Sequence, residues 1–240
     1  MDKTNYLATI SQLQRVASML SSDQENFLAR NLHPTHYGRF CPIESPEGTE
    51  IGLRKNLAIL ARVSTRINLD EDKFIKDLES DGLNKNETAD TDVFIDGKFI
   101  GDINNPGEFV KKIIEKRRDG IFPVEMNIRN NTDFKIISIS TVPGRVLRPL
   151  IIVENGVSKL KNEHLIQLEQ NEITWDDLIK QGVIEYLDAS EEENSLIALY
   201  PEELTQEHSH LEIDSIDLFG IITSLVPYVN HDSASKLMKG

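Results

Sequence analysis

His33, His36 and Cys41 are spaced H-x2-H-x4-C, and Glu44, Glu47 and Glu50 follow at once, so residues 30–56 gather potential ligands and nucleophiles. Zinc takes imidazole nitrogen and thiolate sulfur, and a catalytic zinc keeps one position open. This spacing matches no such ligand set, and Cys41 is the sole cysteine, so a second thiol pair is absent. Histidines in a Pro- and Gly-rich stretch have another use: they hydrogen-bond backbone that no regular structure satisfies. A Cys–His nucleophile needs contact in space, and the alternative for Cys41 is a buried, inert thiol. GTEIGLRKN (48–56) holds two glycines and a basic pair but lacks the G-x4-G-K-[ST] order of a phosphate loop, which leaves Gly48 and Gly52 as bends. Elsewhere, Ser64, Ser138 and Ser140 lack a surrounding G-x-S-x-G, and DASEEEN (188–194) reads as a solvated acidic turn more than a divalent-ion site. His210 and Glu212 form an H-x-E pair before an apolar stretch, for which a structural hydrogen bond is the simpler reading.

Something must hold these residues. NYLATISQLQRVASML (5–20) has Leu7, Ile10, Leu13 and Ala17 at helical spacing, and KNLAILARVSTRI (55–67) reads as a strand. Residues 30–54 have neither period, and their Pro and Gly predict irregular backbone with fixed bends. A short helix over 69–82 opens on acids and closes at Gly82; VFIDGKFIG (93–101) is a hairpin turning at Asp96-Gly97. Pro106 starts the next helix and Gly120 lies past its end. Strands are expected over 134–140 and 145–154 with a turn at Pro143-Gly144, and over 183–189 and 194–200. Thr174 caps a short helix whose first turn holds Asp176 and Asp177, Pro201 begins another, and 213–228 reads as an apolar helix stopped at Pro227. The class is α+β in several small modules.

Composition narrows the function. The 240 residues are 39% apolar, and no apolar run approaches the ~18 residues of a membrane span. MDKTNYLATI has no basic-then-apolar signal pattern, and a single cysteine fits a reducing, cytoplasmic setting. The net charge of −14 argues against generic nucleic-acid binding, but residues 1–66 carry eight Lys/Arg against six Asp/Glu, or +2, leaving −16 on the remainder. Polyanion contacts belong to the first quarter or to the tail with Lys236 and Lys239, and the acidic body faces water or protein.

RNLHPTHYGRFCPIESPEGTEIGLRKNLAI resembles the fork region of the second-largest subunit of multisubunit DNA-directed RNA polymerases, called β in bacteria and B in archaea. ISQLQRV is similar to the helix just before it, and VFIDGKFIG, PGRVLRPLIIVE, GVIEYLDASEEENSLIAL, HSHLEID and SLVPYVNHDSASKLMKG follow in the family's order. GRVLRPL and EYLDASEEE look archaeal or eukaryote-like. The resemblance implies a fork region over 1–67, external modules over 68–158 and 159–212, and the truncated start of a hybrid-binding domain over 213–240. It implies an excised piece of a longer subunit, inactive alone, serving a nucleotidyltransferase in transcription. Its partners would be the other polymerase subunits, above all the largest, with template DNA, nascent RNA, nucleoside triphosphates and transcription factors, and no membrane. Mg2+ would be held mainly by the largest subunit, with no cofactor bound here and no catalytic residue or metal ligand in this chain.

Carried over residue by residue, the resemblance sets Arg15 near the transcript, Arg30 at a basic position ahead of the L-H-x-T-H motif, and Glu47 beside nascent RNA. It sets Lys236 where the family has an arginine on the incoming triphosphate; lysine keeps the charge but not the bidentate geometry. An expectation from another class is a protein-interaction module that docks polymerase subunits or regulators.

Overall fold

The computed structural model describes residues 3–85 and 89–231; Lys236 lies outside the described residues. α1 (Tyr6–Leu13), β1 (Arg15–Ala17), α2 (Phe27–Arg30), β2 (Arg54–Asn56) and β3 (Arg62–Val63) come first. Then follow α3 (Glu71–Ser80), β4 (Thr91–Ile95), β5 (Lys98–Ile103), α4 (Pro106–Arg118), β6 (Asn127–Asn131), β7 (Ile136–Ser140), β8 (Val146–Glu154) and β9 (Val157–Ser158). Last come α5 (Asn162–Glu169), α6 (Trp175–Lys180), β10 (Ile184–Leu187), α7 (Ala189–Glu192), β11 (Ile197–Ala198), β12 (His210–Leu211) and α8 (Ile221–Ser224). The class is α+β, as expected, in two compact units: residues 1–62 with 214–240, and residues 63–213.

In the first unit the Asn5 side chain caps α1 by accepting from Ala8 N at 2.7 Å. The helix ends at Leu13, well short of residue 20, and Arg15–Ala17 instead pairs antiparallel with Asn56–Arg54. The expected face is not the packed one: the buried residue of α1 is Ser11, while Leu13 is 72% exposed. The expected strand over 55–67 is also broken. The amides of Leu57, Ala58 and Ile59 donate to three separate segments, at Gln14 O, Arg39 O and Phe219 O, so no ladder can run on. The expected helix over 213–228 divides into a 3-10 turn at Ser215–Leu218, capped by Asp214, and α8. Phe219 between them is extended, and its carbonyl serves Ile59.

The second unit holds two sheets. One has the order β5-β4-β7-β6, with β4 parallel to β7 and the other neighbours antiparallel. The β4–β5 turn takes the expected left-handed residues, Asp96 at φ 49° and Gly97 at φ 82°. α3 starts at an Asp70 cap, and α4 has Pro106 at its start and Lys116, Arg117 and Arg118 in its last turn. Phe74 and Leu78 of α3 and Phe109 and Ile113 of α4 pack with Val93, Ile128, Ile137 and Ile139 of this sheet. β6, Asn127–Asn131, is polar in sequence and escapes any alternation rule. In the other sheet β10 and β12 flank β8 antiparallel, β11 joins β12 parallel, and β9 folds back on β8. β8 is buried from Leu147 to Val153, so it shows a continuous apolar run with Arg148 inside it. α6 begins at the expected Thr174 cap.

Candidate functional site

The loop over residues 31–53 is held by its own polar side chains. His33 Nδ1 accepts from Thr35 N, and His36 Nδ1 accepts from His33 N, which closes a reciprocal cap around a 3-10 turn at Pro34–His36. The histidines therefore tie down backbone. Burial, with Lys55 and His33 adding to it, pushes His36 below the usual imidazole range, which suits a ring nitrogen that must stay an acceptor. Cys41 is buried; its Sγ lies 3.4 Å from Thr223 Oγ1 and accepts from Glu44 N at 3.3 Å. Among the described residues no three His, Cys, Asp or Glu are grouped to hold a metal ion.

The two glycines are bends, as expected, with φ 86° at Gly48 and 71° at Gly52. Gly52 is also a close approach, since a Cβ there would lie 2.2 Å from Arg30 O. The Arg30 side chain continues that contact. Its Nη1 donates to Thr49 O at 2.6 Å and Ile51 O at 3.0 Å, and its Nη2 to Ser22 O at 3.0 Å and Gln24 O at 3.2 Å. All four Nη hydrogens thus serve carbonyls of two loop segments. Lys55 Nζ does the same for Gly52 O at 2.5 Å and Ala29 O at 3.3 Å, and burial lowers its pKa. Arg54 pairs with Glu50 at 2.5 Å.

Arg15 differs. It is exposed on β1, its backbone registers with Asn56, and its guanidinium has no hydrogen-bond or ion-pair partner among the described residues. Glu47 is exposed too, and its side chain makes no cap bond at the head of the Gly48–Glu50 turn. Glu47 and Arg30 line one small cavity of about 60 Å3, and Arg15 lines another of about 220 Å3 with Glu44, Asn56 and Val226. Ile43, Ser45 and Pro46 line both.

Asn56, across the ladder from Arg15, belongs to a polar cluster that the sequence did not announce. Ser11 Oγ donates to Glu44 Oε1 at 2.5 Å, and Asn56 Nδ2 donates to the same oxygen and to Ser11 Oγ at 2.8 Å. Ser11 and Asn56 are buried, and the second oxygen, Glu44 Oε2, is buried with no hydrogen-bond partner among the described residues.

The acidic segment 188–194 corrects the expectation of a solvated turn. It forms α7, and Glu191 is only 5% exposed. Both its oxygens hold Arg117, at 2.7 Å each, and Oε2 also accepts from Asn127 Nδ2 at 2.7 Å and Ile128 N at 3.0 Å. Arg117 Nη2 reaches Glu185 Oε2 at 2.7 Å, and Arg118 Nη2 reaches Glu185 Oε1 at 2.5 Å. His210 Nε2 lies 2.8 Å from the same Oε1, whereas Glu212 holds Arg148 at 2.7 Å, so the H-x-E pair splits between two partners. Arg148 also binds Glu192, and Arg145 reaches Asp188 at 3.1 Å and Asn127 Oδ1 at 2.6 Å. Burial alone would lower Arg117, but Glu191 and Glu185 reverse this and raise it far above the usual guanidinium value. Burial would raise Glu185, yet Arg117 above all, with His210 and Arg118, holds it well below the usual carboxylate range. α4 explains the placement: Phe109, Ile113 and Arg117 share its buried face at four-residue spacing. The Nη donors of Arg117, Arg145 and Arg148 are engaged in structure while Arg117 Nε is buried without a partner among the described residues, so the network positions elements.

Three consecutive family models match the chain: RNA polymerase Rpb2 domain 3 over residues 1–63, domain 4 over 93–154 and domain 5 over 175–223. The DNA-directed RNA polymerase subunit Rpo2 of Saccharolobus solfataricus is 41% identical, over 98% of this chain and 22% of the relative. The RNA polymerase III subunit RPC2 of Saccharomyces cerevisiae is 32% identical, and the RNA polymerase II subunit RPB2 of Encephalitozoon cuniculi 30% identical, each over 98% of this chain. The chain spans about a fifth of the length of these relatives.

Proposed function

The chain belongs to the family of second-largest subunits of DNA-directed RNA polymerases, and on that premise we propose that its first unit holds an RNA–DNA hybrid in place during transcription by presenting Arg15 to a phosphate. The observation that carries this reading is the contrast between Arg15 and its basic neighbours. Arg30, Arg54 and Lys55 are engaged by carbonyls or a carboxylate, while Arg15 is exposed on a strand of fixed register, without a partner among the described residues. A guanidinium keeps its charge at any working pH and offers a planar set of donors to phosphate oxygens. Glu47, exposed beside the smaller cavity, would accept bonds from RNA hydroxyls or base amines. On this reading Arg30 shapes the loop that carries Glu47, and Lys236 meets the incoming triphosphate.

Catalysis would belong to the assembled polymerase, a nucleotidyltransferase. Magnesium ions would be held mainly in the largest subunit. The partners would be the other polymerase subunits, template DNA, nascent RNA, nucleoside triphosphates and transcription factors, in the cytoplasm. Exposed Tyr6, Leu13, Met19, Phe27 and Leu28 support burial of the first unit against other polymerase polypeptide. No helix among the described residues is long and apolar enough to cross a membrane.

The test is a titration of an RNA–DNA hybrid with the chain and with Arg15→Ala over a salt series. The variant is expected to bind about tenfold more weakly and to lower the log–log salt slope by roughly one. Equal affinity and equal slope for the two proteins would overturn the assignment.

A further inference from the structure

We propose that Glu44 is the positioning residue for Arg15, and that Gly220 is glycine because it closes over that carboxylate. The inference rests on the reading of Arg15 as the phosphate contact and extends it to a residue no family resemblance singled out.

Arg15 lies one residue past the turn that ends α1, so two things set its direction: where α1 stops and how β1 registers with β2. Glu44 Oε1 controls both. It accepts from Ser11 Oγ at 2.5 Å, which anchors the last turn of α1. It also accepts from Asn56 Nδ2, and Asn56 is the residue across the ladder from Arg15. Ser11 and Asn56 then close the triangle with a bond of 2.8 Å, and Leu57 N donates to Gln14 O at 3.1 Å beside it. One carboxylate oxygen therefore joins α1 to β2, the strand against which Arg15 registers. Glu44 and Arg15 also line the same cavity of about 220 Å3.

The other oxygen, Oε2, is buried and accepts no hydrogen bond among the described residues. A carboxylate in that condition needs packing to hold its rotamer, because a solvated alternative competes for it. Gly220 supplies it: a Cβ at Gly220 would lie 2.4 Å from Oε2, with Cys41 Cβ and Leu57 O at 3.3 Å. Gly220 has an ordinary φ of −75°, so backbone freedom does not demand glycine there; the contact does. The segment that enters α8 is thus seated on the residue that orients Arg15.

Four variants test this in the chain: Glu44→Ala, Glu44→Gln, Gly220→Ala and Arg15→Ala/Glu44→Ala. Hydrogen exchange of the amides in the β1–β2 ladder reads positioning without any ligand, and hybrid binding reads its consequence. Glu44→Ala and Gly220→Ala are expected to lose ladder protection tenfold or more and to weaken hybrid binding up to about the tenfold expected for losing Arg15. Glu44→Gln keeps an acceptor for Ser11 and Asn56 and restores both. The double variant binds no more weakly than Arg15→Ala, because Glu44 acts through Arg15. Unchanged ladder protection in Glu44→Ala overturns the proposal, as does a double variant whose losses add. If Arg15→Ala binds the hybrid as the wild type does, the reading of Arg15 fails by itself, and the exchange data still decide whether Glu44 sets the strand. If Glu44→Ala does not fold, Glu44→Gln and Gly220→Ala decide.

Discussion

Replacing Glu191 with alanine should be the most damaging single change to the second unit. The substitution removes an acceptor from four donors: Arg117 Nη1 and Nη2, Asn127 Nδ2 and Ile128 N. Arg117 would keep Met126 O at 2.8 Å and Glu185 Oε2 at 2.7 Å, so its charge stays half-compensated. An orphaned buried donor costs about 1–3 kcal/mol, and removing one partner of a buried pair costs about 3–5 kcal/mol. Water entering the space left by the side chain offsets part of the orphan cost, so the expected loss is about 3–5 kcal/mol. Trp175, the only tryptophan, lies in this unit, and its Nε1 donates to Tyr186 Oη at 3.2 Å, so its fluorescence follows the second unit alone. With a urea dependence of about 1–3 kcal/mol per molar, the unfolding midpoint should fall by at least about 1 M. A shift under about 0.3 M would refute the view that Glu191 is the centre of the network. Replacing Arg117 and Glu191 together with leucines should cost less than either single loss, because no buried charge on these two residues would be left half-paired.

Arg30→Ala should leave the salt slope of hybrid binding unchanged while loosening the loop, since its Nη donors hold four backbone carbonyls; a slope lower by about one would instead put Arg30 on a phosphate. Acid should unfold the second unit through Glu185. Its folded pKa is held below the unfolded value of about 4.3, so its contribution is complete above that pH and lost as the pH falls through the folded value. Trp175 midpoints should therefore decline more steeply below about pH 4.3 in the wild type than in Glu185→Gln, and equal declines would refute the assignment.

The parts of the fold that were legible in the sequence are those fixed within a few residues. Asp70 before α3, Asp96-Gly97 in the hairpin, Pro106 and Gly120 around α4 and Thr174 before α6 each act locally. What failed depends on distant contacts. The stretch over 5–20 has helical spacing, but the chain turns at Gln14 because β2, some forty residues on, offers a ladder. The stretch over 213–228 is apolar, but Phe219 O is claimed by Ile59 N, and the helix cannot pass through it. DASEEEN looks solvated because its partners, Arg117, Arg145 and Arg148, stand 43 to 74 positions upstream. In the first unit, the histidine caps were readable from composition, whereas Glu44 was not, since its meaning lies in Ser11 and Asn56. Arg15 stood out by resemblance, and the structure adds that it has no partner among the described residues.

The buried network bears on how this chain can be recombined. Arg117, Arg118, Arg145 and Arg148 all fall within the stretch matched by domain 4, and Glu185, Asp188, Glu191, Glu192, His210 and Glu212 within that matched by domain 5. The arginines come from one side of the sequence division and their carboxylates from the other. A chimera made by exchanging residues 175–223 for those of a distant relative therefore keeps its fold only if the donor supplies carboxylates that match these four arginines, and the practical unit of exchange runs from α4 through β12.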